Sequence, residues 1–270
     1  MGMPVVIQII EAHPFERSSS SPQTPQGGIV EKLSPQANVN KIIENVFEYF
    51  KYVDNTFSTY KDDSEIMRIN RKELDLKNAS ADMQMIFRLA EQTKNETNGY
   101  FDIVNRGGKY DPSGIVKGWA IQNAARIIRE AGFPNYYVEA GGDIQVNGLN
   151  DEGEKWAIGI KNPFNQNENV KVVKLTNEGI ATSGTYIRGQ HIYDPHDKKQ
   201  KFDDIVSLTV IGPNVYEADR FSTPAFAMGR KGIEFIEGLN KPNEPRRFEG
   251  YMIDSKGIAT MTNGFENYID

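Results

Sequence analysis

The sequence predicts an α+β fold, a single domain over residues 1–270 of mixed, largely antiparallel sheets with packed helices. Three observations lead there. The first ten residues alternate like a strand, apolar stripes at helical spacing crowd the stretch from about 38 to 131, and most of the rest reads as short strands separated by turn residues. A doubly wound parallel sheet would need strands and helices in regular alternation, which is missing here.

Taken in order, Met1 to Ile10 is the first strand, and residues 16–28 (ERSSSSPQTPQGG) read as a flexible loop, rich in Ser, Pro, Gln and Gly. From Asn38 to Phe57 the apolar residues Val39, Ile42, Ile43, Val46, Phe47, Phe50 and Val53 recur at three- and four-residue steps, an amphipathic helix facing a core. Asp63 to Asn70 reads as a short capped helix, and Ala81 to Thr97 as a longer one stopped by Asn98-Gly99. Ser113 is placed to cap a helix from about Gly114 to Ala131 that ends at Gly132. Strands are expected over Tyr136–Val146, Trp156–Ile160, Val170–Leu175, Gly179–Ser183 and Val206–Ile211. Glu217–Met228 and Lys231–Leu239 read as helices, and Arg247–Asp254 with Gly257–Thr262 as a hairpin. Gly179-Ile180-Ala181-Thr182 recurs as Gly257-Ile258-Ala259-Thr260, too short an echo to mark a duplication.

Composition excludes several functions. A net charge of −6 without a basic stripe argues against nucleic acid as a partner, and no segment reads as a membrane insertion. With no cysteine there is no disulfide framework, thiolate site or cysteine nucleophile. Only His13, His191 and His196 are available as imidazoles, so any metal is expected to be a hard cation held by oxygen. The apolar start lacks the basic region and cleavage site of a signal peptide, which places the chain in the cytoplasm as written, or outside it if the chain is trimmed from a longer one.

Three constellations can carry chemistry. Asp111-Pro112-Ser113-Gly114-Ile115-Val116-Lys117-Gly118 puts a lysine within the first turns of a helix whose unpaired N–H groups suit a phosphate. An ordinary capped helix with a solvated lysine has the same pattern, and neither a Walker loop nor a dinucleotide fingerprint is present. Asp219 and Thr223 stand four apart and share a helix face, a sparse oxygen pair of the kind magnesium tolerates because it keeps waters and takes phosphate oxygens. Glu139 to Ile144 and Ala181 to Tyr186 hold small-residue turns beside strands, where a ligand can approach the backbone. His191 is a further candidate for moving a proton.

In their order these segments resemble the motifs of the FAD:protein FMN transferase (ApbE) family: Met1-Gly2-Met3, Phe57-Ser58-Thr59-Tyr60, Gly99-Tyr100-Phe101-Asp102, Asp111 through Gly118, Ala140 through Ile144, Ala181-Thr182-Ser183-Gly184, His191 through Pro195, and Ala218-Asp219 through Thr223. The resemblance implies the family's α+β fold and FAD as substrate, contacted at Met1, Tyr60, Tyr100, Phe101, Asp102, Asp111, Lys117, His191 and Ile192. It also implies Mg2+ held by Asp219, Thr223 and the backbone carbonyl of Gly114. Arg220-Phe221-Ser222 departs from the small apolar residues usual between those ligands, and Pro112-Ser113 departs at the helix start.

The expected activity is transfer of FMN from FAD to a threonine hydroxyl of an acceptor protein carrying a flavinylation motif, with release of AMP. Asp111, Lys117 and His191 are the catalytic candidates, and the base is open between Asp111 and His191. Two other outcomes share the site: an FAD pyrophosphatase giving FMN and AMP, and a flavin-binding protein without turnover.

Overall fold

The computed structural model of the chain describes residues 3–10, 35–185, 195–196 and 204–269. The expected loop at 16–28 and the candidates Met1, His191 and Ile192 lie outside them.

Seven strands form one sheet in which every pairing is antiparallel, in the order β1 (Val5–Ile10), β2 (Asn135–Ala140), β3 (Asp143–Asn147), β6 (Gly179–Gly184), β7 (Ile205–Gly212), β8 (Glu249–Asp254) and β9 (Ala259–Met261). A separate hairpin is made by β4 (Trp156–Asn162) and β5 (Asn165–Leu175). The helices are α1 (Pro35–Phe57), α2 (Glu65–Asn70), α3 (Ala81–Glu96), α4 (Ser113–Glu130), α5 (Val215–Ala227) and α6 (Gly232–Gly238). Among the described residues no helix is long and apolar enough to cross a membrane.

The two-residue period of the strands sorts side chains between two layers. Ile144, Val146, Ile180, Ile211, Tyr251 and Ile253 face the β4–β5 hairpin and pack with Trp156, Ile158, Val173 and Leu175. On the opposite face Tyr136, Val138 and Ala140 pack against α1 and α4, while Ala181, Leu208, Val210 and Met252 pack against α5 and α6. Since Ile144 and Val146 are committed to the hairpin side, Asp143 and Gln145 fall beneath the helices. The same rule turns Ser183 toward α5.

Helix ends follow local chemistry. Ser64 and Ser80 accept the N–H groups of Met67 and Met83 and so cap α2 and α3, and Asn98 with Gly99 turns left-handed (φ 51° and 83°) to close α3. Asn214 caps α5 through the N–H of Glu217, and Gln145 Oε1 accepts the N–H of Val215 at 2.8 Å, tying α5 to β3.

Two expectations are corrected. Ser113 does not cap α4: it is the first helical residue, Pro112 takes the cap position without a side-chain bond, and Asp111 Oδ1 accepts the Ser113 N–H at 3.1 Å. Proline at the boundary leaves Asp111 as the nearest side chain able to reach an unpaired N–H. Tyr136–Val146 is not one strand but the β2–β3 hairpin, because Gly141 and Gly142 take φ of +61° and +91° and reverse the chain. A Cβ at Gly141 would also lie 2.7 Å from Met3 Sδ, so the flexible methionine side chain would have to shift.

Candidate functional site

The site forms where α4 crosses α5 above β3 and β6. Gly114, Lys117 and Gly118 lie on one face of α4, and Asp219, Ser222 and Thr223 on one face of α5, at the three- and four-residue spacings that align side chains. The helices approach closely because residue 118 is glycine: a Cβ there would stand 2.6 Å from Asp219 Cβ and 2.9 Å from the carbonyl oxygen of Val215. The Gly118 N–H donates to Asp219 Oδ2 at 2.7 Å. A regular helix would direct that N–H to the carbonyl of Gly114, so Asp219 draws on the donor that otherwise serves it.

Lys117 reaches from α4 between two carboxylates. Its Nζ lies 2.6 Å from Asp143 Oδ2 and 3.6 Å from Asp219 Oδ1. Asp143 is 1 % exposed and Asp219 2 %. Burial raises the Asp219 carboxyl well above its ordinary value; Lys117 pulls it back down, and the neighbouring Asp143 pushes it up again. Asp143 Oδ1 accepts the Thr182 N–H at 3.2 Å, whereas Oδ2 has no aligned hydrogen bond and is compensated by the ammonium. Hydroxyls continue the cluster: Ser183 Oγ lies 2.9 Å from Ser222 Oγ and 3.4 Å from Thr223 Oγ1, and Ser222 donates to the Asp219 carbonyl.

These oxygens suit a sparse, hard cation. Among the described residues no group of three or more His, Asp or Glu side chains could hold a metal by itself. What is present is the Asp219 carboxylate, the Thr223 hydroxyl and the Gly114 backbone, which passes so near Thr223 that a Cβ would sit 3.9 Å from its methyl. Such a set leaves positions for water and phosphate, the coordination magnesium favours.

Other candidates are placed around this centre. The Phe101 ring is buried against Gly114, 3.2 Å from where a Cβ would be, which brings the Tyr100–Asp102 segment to the start of α4. Tyr100 packs edge-on against His196, and Asp102 is engaged by Lys94 at 2.8 Å and by the Val104 N–H. Asp111 stays at the α4 N-terminus on Ser113. Tyr60 is 96 % exposed and is not brought to the cluster. A pocket of about 260 Å³ between α1 and the β1–β2 edge is lined by Met3, Phe47, Phe50 and Ala140 and by the charged Lys51, Asp54 and Lys117.

Asp143 and Ser183 are the residues that sequence reasoning passed over. Both sat in turns already singled out, and the alternation around Ile144 and Val146 was the signal that could have turned Asp143 toward the helices.

Comparison with known proteins gives three findings. The model of the ApbE family matches residues 1–107 and 104–243. The FAD:protein FMN transferase of Escherichia coli K12 is 32% identical over 164 residues, covering 56% of this chain and 44% of that protein; that of Vibrio cholerae is 33% identical over 142 residues, covering 49% and 42%. The matched part thus spans less than half the length of these curated relatives. The solved flavin transferase ApbE from Vibrio cholerae superposes with a TM-score of 0.76 at 22% identity, over 100% of this chain and 96% of that one, which establishes the fold.

Proposed function

The chain belongs to the ApbE family, and from that premise we propose that it transfers FMN from FAD to a threonine hydroxyl of an acceptor protein. The observation that carries the reading is the Asp143–Lys117–Asp219 cluster, whose lysine lines a pocket, beside Thr223 and the Gly114 backbone. With a divalent cation at the neighbouring oxygen donors, the cation and the lysine together would outweigh the two carboxylates, and such a set suits a pyrophosphate.

The ring-binding part of FAD has apolar walls available in the pocket at Met3, Phe47 and Phe50, and the phosphates then meet Lys117. Mg2+ bound at Asp219, Thr223 and the Gly114 carbonyl would supply neutralisation of the charge that gathers on the pyrophosphate oxygens. Lys117 adds a fixed positive charge, and the low dielectric around Asp143 and Asp219 strengthens its pull. The threonine oxygen bonds to the FMN phosphorus as the bond from that phosphorus to the oxygen of AMP breaks. The hydroxyl proton leaves to a base, for which Asp111 and His191 remain the candidates; Asp111 already accepts a hydrogen bond at the α4 N-terminus.

The test is incubation with FAD, Mg2+ and a threonine-containing acceptor, followed by the acceptor's mass. A gain of one FMN moiety with equimolar AMP is expected. Free FMN and AMP beside an unchanged acceptor would make the protein a pyrophosphatase, and intact FAD would make it a binding protein.

A further inference from the structure

We infer that Asp143 is a positioning residue that holds the Lys117 ammonium away from Asp219 and so keeps Asp219 open to a divalent cation, a role that rests on the transferase reading above. Lys117 Nζ is close to both carboxylates but nearer to Asp143, at 2.6 Å against 3.6 Å. Asp143 is well fixed for this task. It follows the Gly141-Gly142 reversal, pairs with Ala140 across the hairpin, and has its Oδ1 pinned by the Thr182 N–H of β6. Its Oδ2 has no aligned hydrogen bond, so the ammonium is what compensates it.

Asp219 is different. Its Oδ2 is engaged by the Gly118 N–H, and Oδ1, the oxygen left for a cation, is the one Lys117 faces. Among the described residues, Asp219 is the carboxylate that Lys117 faces once the one at 143 is removed, and it is buried where ion pairs are strong. Tightening the Lys117–Asp219 contact from 3.6 Å to hydrogen-bond distance would close the metal position.

The probe is Mn2+ alone, titrated into the full chain without FAD and followed by electron paramagnetic resonance, with thermal denaturation as the check on folding. Wild type is expected to bind. Asp143→Asn is expected to weaken binding by about tenfold or more, the scale on which residues supporting a metal ligand act. Adding Lys117→Met to Asp143→Asn is expected to restore it, because the competitor is gone. A purely structural loss at Asp143 would not be rescued by deleting a second side chain. Lys117→Met alone is expected to bind at least as tightly as wild type, which tests the role independently if Asp143→Asn does not fold.

Unweakened binding by Asp143→Asn, a double variant as weak as Asp143→Asn, or weaker binding by Lys117→Met would each overturn the role. Failure of wild type to bind Mn2+ would overturn the metal in the transferase reading and this role with it. Wild-type binding beside an unaffected Asp143→Asn would overturn this role alone.

Discussion

Asp219 meets several demands with one carboxylate: it accepts the Gly118 N–H, faces Lys117, and stands one helical turn before Thr223. Asp219→Ala is therefore expected to lower single-turnover FMN transfer by at least about a hundredfold, the scale on which losing one transition-state electrostatic contact is felt. Transfer within a few fold of wild type would remove Asp219 from the site. Gly118 makes the contact possible. Alanine there would gain up to about 1 kcal/mol of helix propensity. Its methyl, however, would enter a space only 2.6 Å from Asp219 Cβ, and overpacking of that kind costs about 1–3 kcal/mol. Gly118→Ala should therefore unfold at lower urea concentration than wild type. An equal or higher midpoint would mean that α5 can shift at little cost.

At the scale of elements, α5 carries Asp219 and Thr223 and is held by a buried charge. Arg220, 6 % exposed, pairs with Glu217 on its own helix and with Glu96 at the end of α3, and its guanidinium lies 4.0 Å from the centre of the Phe221 ring. Removing its partners leaves a buried cation without compensation, whereas replacing it with an apolar chain leaves two carboxylates that water can reach. Glu96→Gln with Glu217→Gln should thus destabilise by about 3 kcal/mol, and Arg220→Met by less. Denaturant midpoints of the two variants decide it, and the reverse order would refute the asymmetry. The sequence marked Arg220 as unusual but not as buried, since burial depends on α3 lying alongside. Local chemistry made other elements legible. The stripe of α1, the serine caps of α2 and α3 and the Asn98-Gly99 stop are written within a few residues of where they act. The β2–β3 reversal is only half legible: Gly141-Gly142 reads as a small-residue turn, but the alternation from Tyr136 to Val146 runs across it as one strand, and pairing across the hairpin is what divides it.

For the whole molecule, Lys117, Asp219 and Thr223 could be named from spacing and family pattern, but Asp143 joins them only once β3 and β6 are paired under the α4–α5 crossing. Interactions between distant segments also set how the fold responds to acid. Arg246 binds Glu237 at the end of α6 through two bonds of 2.7 and 2.9 Å and also pairs with the buried Glu249, while Glu237 accepts the Asn263 N–H beyond β9. The Arg246 hydrogen bonds, aided by Asn263, hold the Glu237 carboxyl down to about 2, against 4.5 for the free group. A carboxyl depressed in the folded state contributes stability above its unfolded value and loses that contribution as the pH falls toward the folded one. Glu237 is 32% exposed, so solvent screening limits the contribution to about 1 kcal/mol or less. Glu237→Gln is accordingly expected to be slightly less stable than wild type at pH 6. The gap should narrow below pH 4.5 and close near pH 2, read from urea midpoints across that range. A gap that stayed constant down to pH 2 would show that Glu237 joins α6 to the chain end through packing and neutral hydrogen bonds rather than through its charge.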